Sequence, residues 1–566
     1  MAGVCGGLVA AKGPLNVLIS SLVEEIWQAA RAEGRTKPRN YLHLNLPGGP
    51  CRWFFDLPLL PYSNSGELIS DPQIVTRINV EGQPEYHTAP ITVKDVTLNM
   101  PTLWSSEIPT PSGAWIPMAK LLENMIMIRG VNMQADGHPP NNFKQVRPVQ
   151  GMPSLTGLVA DASDKPIPAV GGSRATPYSV YKSGKGIGQV VVPDFHSETN
   201  PLAKILGAFD AKGDKLPEGF VSRRQALSGA LDQAMVSLGN YAKSSEPGAE
   251  NLFALRSRAE KLVRQGLGDL ETAYGSLLQK YKGLIEQCKT RNVVGVNDQP
   301  ILGSAFPRLA SRTVMAGSGR VIVNNADLRD LITGDSRIDE LAEGCAVAEY
   351  LLLQGYSSTV LWGPSGVDGM DFHDLATVET DAGGNETGQT SLGIPQIVGN
   401  MVNDEHFSGN AISLVGNSFL FRAIAACLYE LISVLKGAGL FSETVIQIGA
   451  EFSRIPRKDF GGSEHGWMAN CTSLFSGAVN KPMVLGNIAS DGSDGVFNPR
   501  KTTWGKSAPV EVDGAVQILT IGHSTSTIAQ LLHVAPPLPS NGTLIFENPS
   551  TGLFPTIELA KNKVQT

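Results

Sequence analysis

Two stretches in the C-terminal half follow the same order of elements, and that order limits the folds open to this chain. Ile338–Leu353 carries apolar side chains at helical spacing and ends at Gly355. Ser358–Trp362 then reads as a buried strand, followed by a polar loop with Asp371 and His373. Further on, Phe419–Leu435 again has helical spacing, closes at Gly437 or Gly439, and returns to a strand over Thr444–Gly449. Helix, short turn, strand and polar loop in this alternation predict an α/β fold, a mostly parallel sheet covered by helices. Tyr41–Leu46 alternates like a first core strand and stops at Pro47-Gly48-Gly49-Pro50, and Met125–Ile128 reads as another strand behind a helix over 118–125.

In open α/β sheets, ligands bind beyond the carboxyl ends of the strands. Glu451-Phe-Ser-Arg454 falls just past the strand at 444–449, and Glu464-His465-Gly-Trp467 lies in the Gly-rich loop beyond. A carboxylate beside an imidazole can hold a metal or share a proton. A structural Glu451–Arg454 ion pair, with His465 packed beneath Trp467, explains the same residues equally well. His373, flanked by Asp371 and Asp374, is the strongest single metal candidate, because an acidic loop supplies both ligands and their supporting hydrogen bonds. His138 near Asp136 is a second, set against a loop histidine bonded to its own backbone. Asp404-Glu405-His406 reads as a surface turn, since no strand is evident before it. Ser524–Thr527, after His523, reads as a helix N-cap cluster.

The chain has 566 residues, enough for a large core. Its net charge is −7 and it carries no dense Lys/Arg run, so the footprint of a nucleic-acid binder is missing. The six cysteines show neither a CxxC nor metal-like spacing, and Cys345 and Cys427 fall inside helical apolar patterns as buried thiols would. We expect no apolar run long enough to span a bilayer. Residues 1–40 form an N-terminal segment with a helix over 14–33. Its first dozen residues are small and apolar like the core of an export signal but lack a basic segment before them. Residues 41–566 form the α/β domain, with an insertion of short strands and loops at 57–118 and a helical hairpin at 220–290, the latter read from two amphipathic stretches around Ser244-Ser-Glu-Pro-Gly248.

In order and spacing, several motifs resemble a sulfatase-like family of exported bacterial proteins of unknown function within the alkaline phosphatase superfamily. They are Asn45-Leu-Pro-Gly-Gly-Pro50, Ile128-Arg129 with His138-Pro-Pro-Asn-Asn142, Gly369-Met-Asp371-Phe-His373, Glu451-Phe-Ser-Arg-Ile-Pro456, and Glu464-His465-Gly-Trp467. The resemblance implies an alkaline-phosphatase-like sheet and one or two divalent metal ions, zinc, calcium or manganese. Carried over residue by residue, it implies metal ligands among Asp371, His373, Glu464, His465, Asp56 and His138. Glu464 stands where the family has Asp, and Cys51-Arg-Trp-Phe-Phe delays Asp56 beyond the family's position. An attacking hydroxyl is expected near Gln134–Asp136, yet from Gly113 to Pro153 the chain has no Ser, Thr or Cys. The reading that follows is an exported, periplasmic or secreted protein without hydroxyl-nucleophile catalysis, serving as a scaffold that associates with itself or a protein partner. The alternative is a metal-dependent phosphoester or sulfoester hydrolase using metal-bound water. A third reading is an anion-binding protein in which Arg129, Arg454, Arg457 and Lys458 supply the positive field, Arg454 and Arg129 foremost.

Overall fold

Every residue of the strand Asn40–Asn45 (β1) after Asn40 is buried, as expected where a strand is covered on both faces. The computed structural model describes chiefly residues 37–58, 88–163, 270–289, 331–371, 398–405, 410–456, 463–490 and 504–548, with short stretches between. It places β1 inside an eight-stranded sheet. The other strands that position the site are, in chain order, Met125–Val131 (β2), Ala169–Gly171 (β3), Val190–Val191 (β4), Thr359–Trp362 (β5), Gly366–Asp371 (β6), Val398–Val402 (β7), Thr444–Gly449 (β8), Ser453–Pro456 (β9), Ser463–Gly466 (β10), Asn470–Ser476 (β11) and Met483–Leu485 (β12). The sheet order is β4-β3-β5-β1-β8-β11-β2-β12. Neighbours are parallel except at β11, which runs antiparallel to both β8 and β2. Consequently β2 points the same way as β5, β1 and β8, and the four open their carboxyl ends on one edge. This is the α/β, mostly parallel sheet that the alternation predicts.

Among the described residues the α-helices are His138–Lys144 (α1), Leu155–Ala162 (α2), Leu270–Gln287 (α3), Asp339–Leu353 (α4), Asn410–Gly437 (α5) and Ile521–Leu532 (α6). Side chains alternate across a strand, and β1 and β8 divide the core accordingly. Leu42, Leu44, Ile446 and Ile448 join the cluster formed with α3, α4 and α5. Tyr41 and Val445 join the one formed with α2 and α6. By length and composition Ser413–Gly437 is apolar enough to cross a membrane, and 78% of its apolar window is buried inside the fold.

Within 57–118 the described residues form three antiparallel strand pairs, Arg77–Ile78 with Pro84–Glu85, Thr88–Val93 with Val96–Pro101, and Glu107–Pro109 with Trp115–Pro117. Of the expected helical hairpin, α3 packs on the domain: Lys280 Nζ lies 2.6 Å from Glu349 and 3.0 Å from Glu430. Its first helix lies outside the described residues, as do the helix at 14–33 and the export-like start. At the N-terminus of α6, Thr520 and His523 form a reciprocal capping box, so the cap precedes the expected 524–527 cluster.

On the α2 and α6 side the sheet also buries a polar row. Tyr41 Oη donates to Gln447 Oε1 at 2.5 Å, and His43 pairs in register with Gln447. His43 is buried, and burial pushes its imidazole down to about 3. The native state therefore holds it neutral, while the unfolded chain protonates it near pH 6.5. Its contribution is intact above that pH and is lost as pH falls toward 3, at about 1.4 kcal/mol per pH unit. Between pH 7 and pH 5, wild type should lose about 2 kcal/mol more stability than His43→Gln. Urea melts at the two pH values check this, and equal losses would refute it.

Candidate metal centre

The loops that follow β1, β2, β7 and β8 meet at the carboxyl edge of the sheet. After β2 the chain reaches His138 at the start of α1, with Pro139 in the first turn, where a missing backbone donor costs nothing. After β8 comes Glu451, wholly buried, and then Phe452. After β1 the Pro47–Pro50 turn comes in close: a Cβ on Gly48, which has φ +96°, would sit 2.7 Å from the backbone nitrogen of Asp404. One on Gly49, at φ +65°, would sit 2.7 Å from the carbonyl of Phe452. Only glycine accepts both the positive φ and the approach. Beyond β8 the chain forms the hairpin of β9 and β10, in which Arg454 pairs with His465.

His138, Asp404 and His465 converge there, each offering a ligand atom within 4.8 Å of the others, and this group could hold a metal ion. His138 Nδ1 lies 2.7 Å from Glu451 Oε1, which also accepts from the Gly48 backbone at 2.7 Å. A carboxylate accepts, so the proton of the neutral ring sits on Nδ1 and the lone pair on Nε2. That Nε2 is 3.5 Å from Asp404 Oδ2. His465 repeats the arrangement, with Nδ1 2.7 Å from Asp136 Oδ1. A carboxylate behind each imidazole is the usual support of a metal-binding histidine, fixing the ring and raising its basicity. The Phe452 ring spaces the two, with centroids 4.7 Å from His138 and 4.1 Å from His465, and the imidazoles meet edge to face at 4.8 Å. Burial holds the His465 imidazole below its ordinary range against the opposing pull of Asp136, which favours the neutral ring that a cation needs.

Arg454 is fully buried, stacks over Phe452, donates to Gly49 O at 2.7 Å and to Gly48 O, and lies 2.5 Å from Asp404 Oδ1. It clamps the turn and aims the aspartate. The Glu451–Arg454 pair considered from sequence is not what forms: Glu451 serves His138, and Arg454 serves Asp404. Arg129 is likewise buried, donating to the carbonyls of Gly486 at 3.1 Å and Pro58 at 2.5 Å. The anionic side chains at the rim, Asp404 and Asp136, are 43% and 58% exposed, so the opening favours a cation.

No family model, curated protein or solved structure matches this chain. The centre therefore stands on its own geometry. Of the ligands expected from sequence, His138 and His465 are in it. Glu464 precedes His465 in a strand and so projects from the opposite face. Asp56 belongs to a different structure, a wholly buried ion pair with Arg52 in which Ser473 Oγ donates to its Oδ2 at 2.7 Å. Asp371 ends β6 opposite Val398, whereas Gly366 lies opposite Val402 beside Asp404. The two ends of that hairpin are several residues apart, and Asp371 is not in the group that His138, Asp404 and His465 form. His373, His406, Arg457 and Lys458 lie outside the described residues. Asp404, set aside as a surface turn, supplies the carboxylate. The acid-rich cluster at 404–406 was its visible signal, and β7 is the strand that precedes it.

Proposed function

We propose that this chain is a metal-dependent hydrolase of phosphoric or sulfuric esters, on an alkaline-phosphatase-like fold, working with one divalent ion and without a covalent hydroxyl. The observation that carries the reading is the pair of carboxylate-anchored imidazoles gathered around one aspartate. Two histidines and a carboxylate suit zinc or manganese better than calcium, which prefers an all-oxygen shell. A divalent ion held there supplies Lewis acidity, polarising a phosphoryl or sulfuryl oxygen and lowering the pKa of water. Glu451 and Asp136 keep both rings in the tautomer that presents Nε2. Arg454 holds Asp404 in place and offsets its charge.

The serines of the two flanking strands are committed elsewhere: Ser453 Oγ donates to Ala469 O at 3.0 Å, and Ser463 Oγ to Glu405 O at 2.9 Å. The Cys51 thiol is buried and pushed well up by that burial, the opposite of an activated nucleophile. This favours direct attack by water over a covalent intermediate. Export to the periplasm or beyond rests on the family resemblance alone.

The test is turnover of an aryl phosphate and an aryl sulfate by the full chain loaded with zinc or manganese, beside a His138→Ala/His465→Ala control. Hydrolysis well above the control is expected. Metal bound without turnover above the control would overturn the hydrolase reading in favour of a metal-stabilised scaffold.

A further inference from the structure

Glu405 is wholly buried, and its burial raises its carboxyl above the usual range. A carboxylate is an expensive group to keep in a core unless its oxygens are engaged. Here they are: Oε1 accepts from the Cys51 backbone at 3.2 Å, and both oxygens lie 2.9 Å from Asn417 Nδ2, which fixes them to α5. Its backbone carbonyl accepts from Ser463 N at 3.1 Å and from Ser463 Oγ at 2.9 Å.

These bonds reach the carriers of all three ligands. Asp404 is its covalent neighbour. Ser463 opens β10, two residues before His465. Cys51 closes the turn whose Gly48 nitrogen holds Glu451, and Glu451 in turn holds His138. We propose that Glu405 is a positioning residue for the metal centre, a buried carboxylate that sets the segments bearing His138, Asp404 and His465 in register with one another. The proposal deepens the metal-centre reading and rests on it.

Cobalt(II) titrated into the full chain and followed by its visible absorption reads affinity and ligand geometry together, while heat melts of the metal-free protein read stability apart from them. Glu405→Gln keeps the volume. It should melt close to wild type, bind cobalt about tenfold more weakly or worse, and shift the position or intensity of the absorption. Ser463→Ala removes the hydroxyl donor to the Glu405 carbonyl, should weaken cobalt binding in the same direction by less, and replaces Glu405→Gln if that variant does not fold. Wild-type affinity and absorption in the folded variant, with binding abolished by Asp404→Ala, would overturn the positioning role and leave the centre standing. Cobalt binding no tighter in wild type than in His138→Ala/His465→Ala would overturn the centre, and this proposal with it.

Discussion

Asp56→Ala should lower the stability of the fold by about 3–5 kcal/mol, because it leaves a guanidinium in the core with no counter-charge. Arg52 and Asp56 are both wholly buried, with Arg52 Nε 2.5 Å from Asp56 Oδ1. The remaining partner of that guanidinium is the Ile448 carbonyl, at 3.4 Å. Ser473 Oγ, which donates to Asp56, would lose its acceptor as well. The effect also separates two roles for Asp56. As one half of an ion pair, its loss costs the same with a chelator present as with added zinc. As a metal ligand, its loss would cost more in zinc, because wild type alone would then gain from the ion. Denaturant melts of wild type and variant under both conditions decide between them, and the account requires equal differences.

Asp404→Ala should weaken zinc binding by about 100-fold or more, since it removes the one carboxylate of the group and frees the Arg454 guanidinium beside the site. The loss is also readable as stability. At a zinc concentration 100 times the dissociation constant, an ion bound only by the native state stabilises wild type by about 2.7 kcal/mol. The same zinc concentration should stabilise Asp404→Ala hardly at all. A variant that still gained the wild-type increment would mean that zinc binds elsewhere.

The sheet was legible because strands covered on both faces read as continuous apolar runs, and Thr444–Gly449 is buried at every position. Its carboxyl edge therefore pointed to Glu451 and His465 without any structure. His138 was legible as an acid-histidine neighbourhood. Asp404 was not, because its strand, Val398-Gly-Asn-Met-Val402, lacks an apolar run and pairs with a segment some thirty residues earlier. The same hairpin explains the error at Asp371. Sequence places it soon after β5, as though at a strand end facing the ligand, but β6 carries it away from the edge where β7 returns with Asp404. Asp56 shows a local signal overlooked, since Arg52 stands four residues before it and the two pair at that spacing in a short helical turn. What sequence could not supply is the set of supporting bonds. Glu451, Asp136 and Arg454 act through partners fifty or more residues away, and Glu405 ties Cys51 and Ser463 to Asn417 on α5, links that no local pattern encodes.

The most direct measurement is elemental analysis of the full chain purified without chelator, beside His138→Ala/His465→Ala. We expect about one zinc or manganese ion per wild-type chain and a much smaller fraction in the double variant. Equal metal content in the two proteins, or none in wild type after incubation with either ion, would contradict the centre on which the account stands.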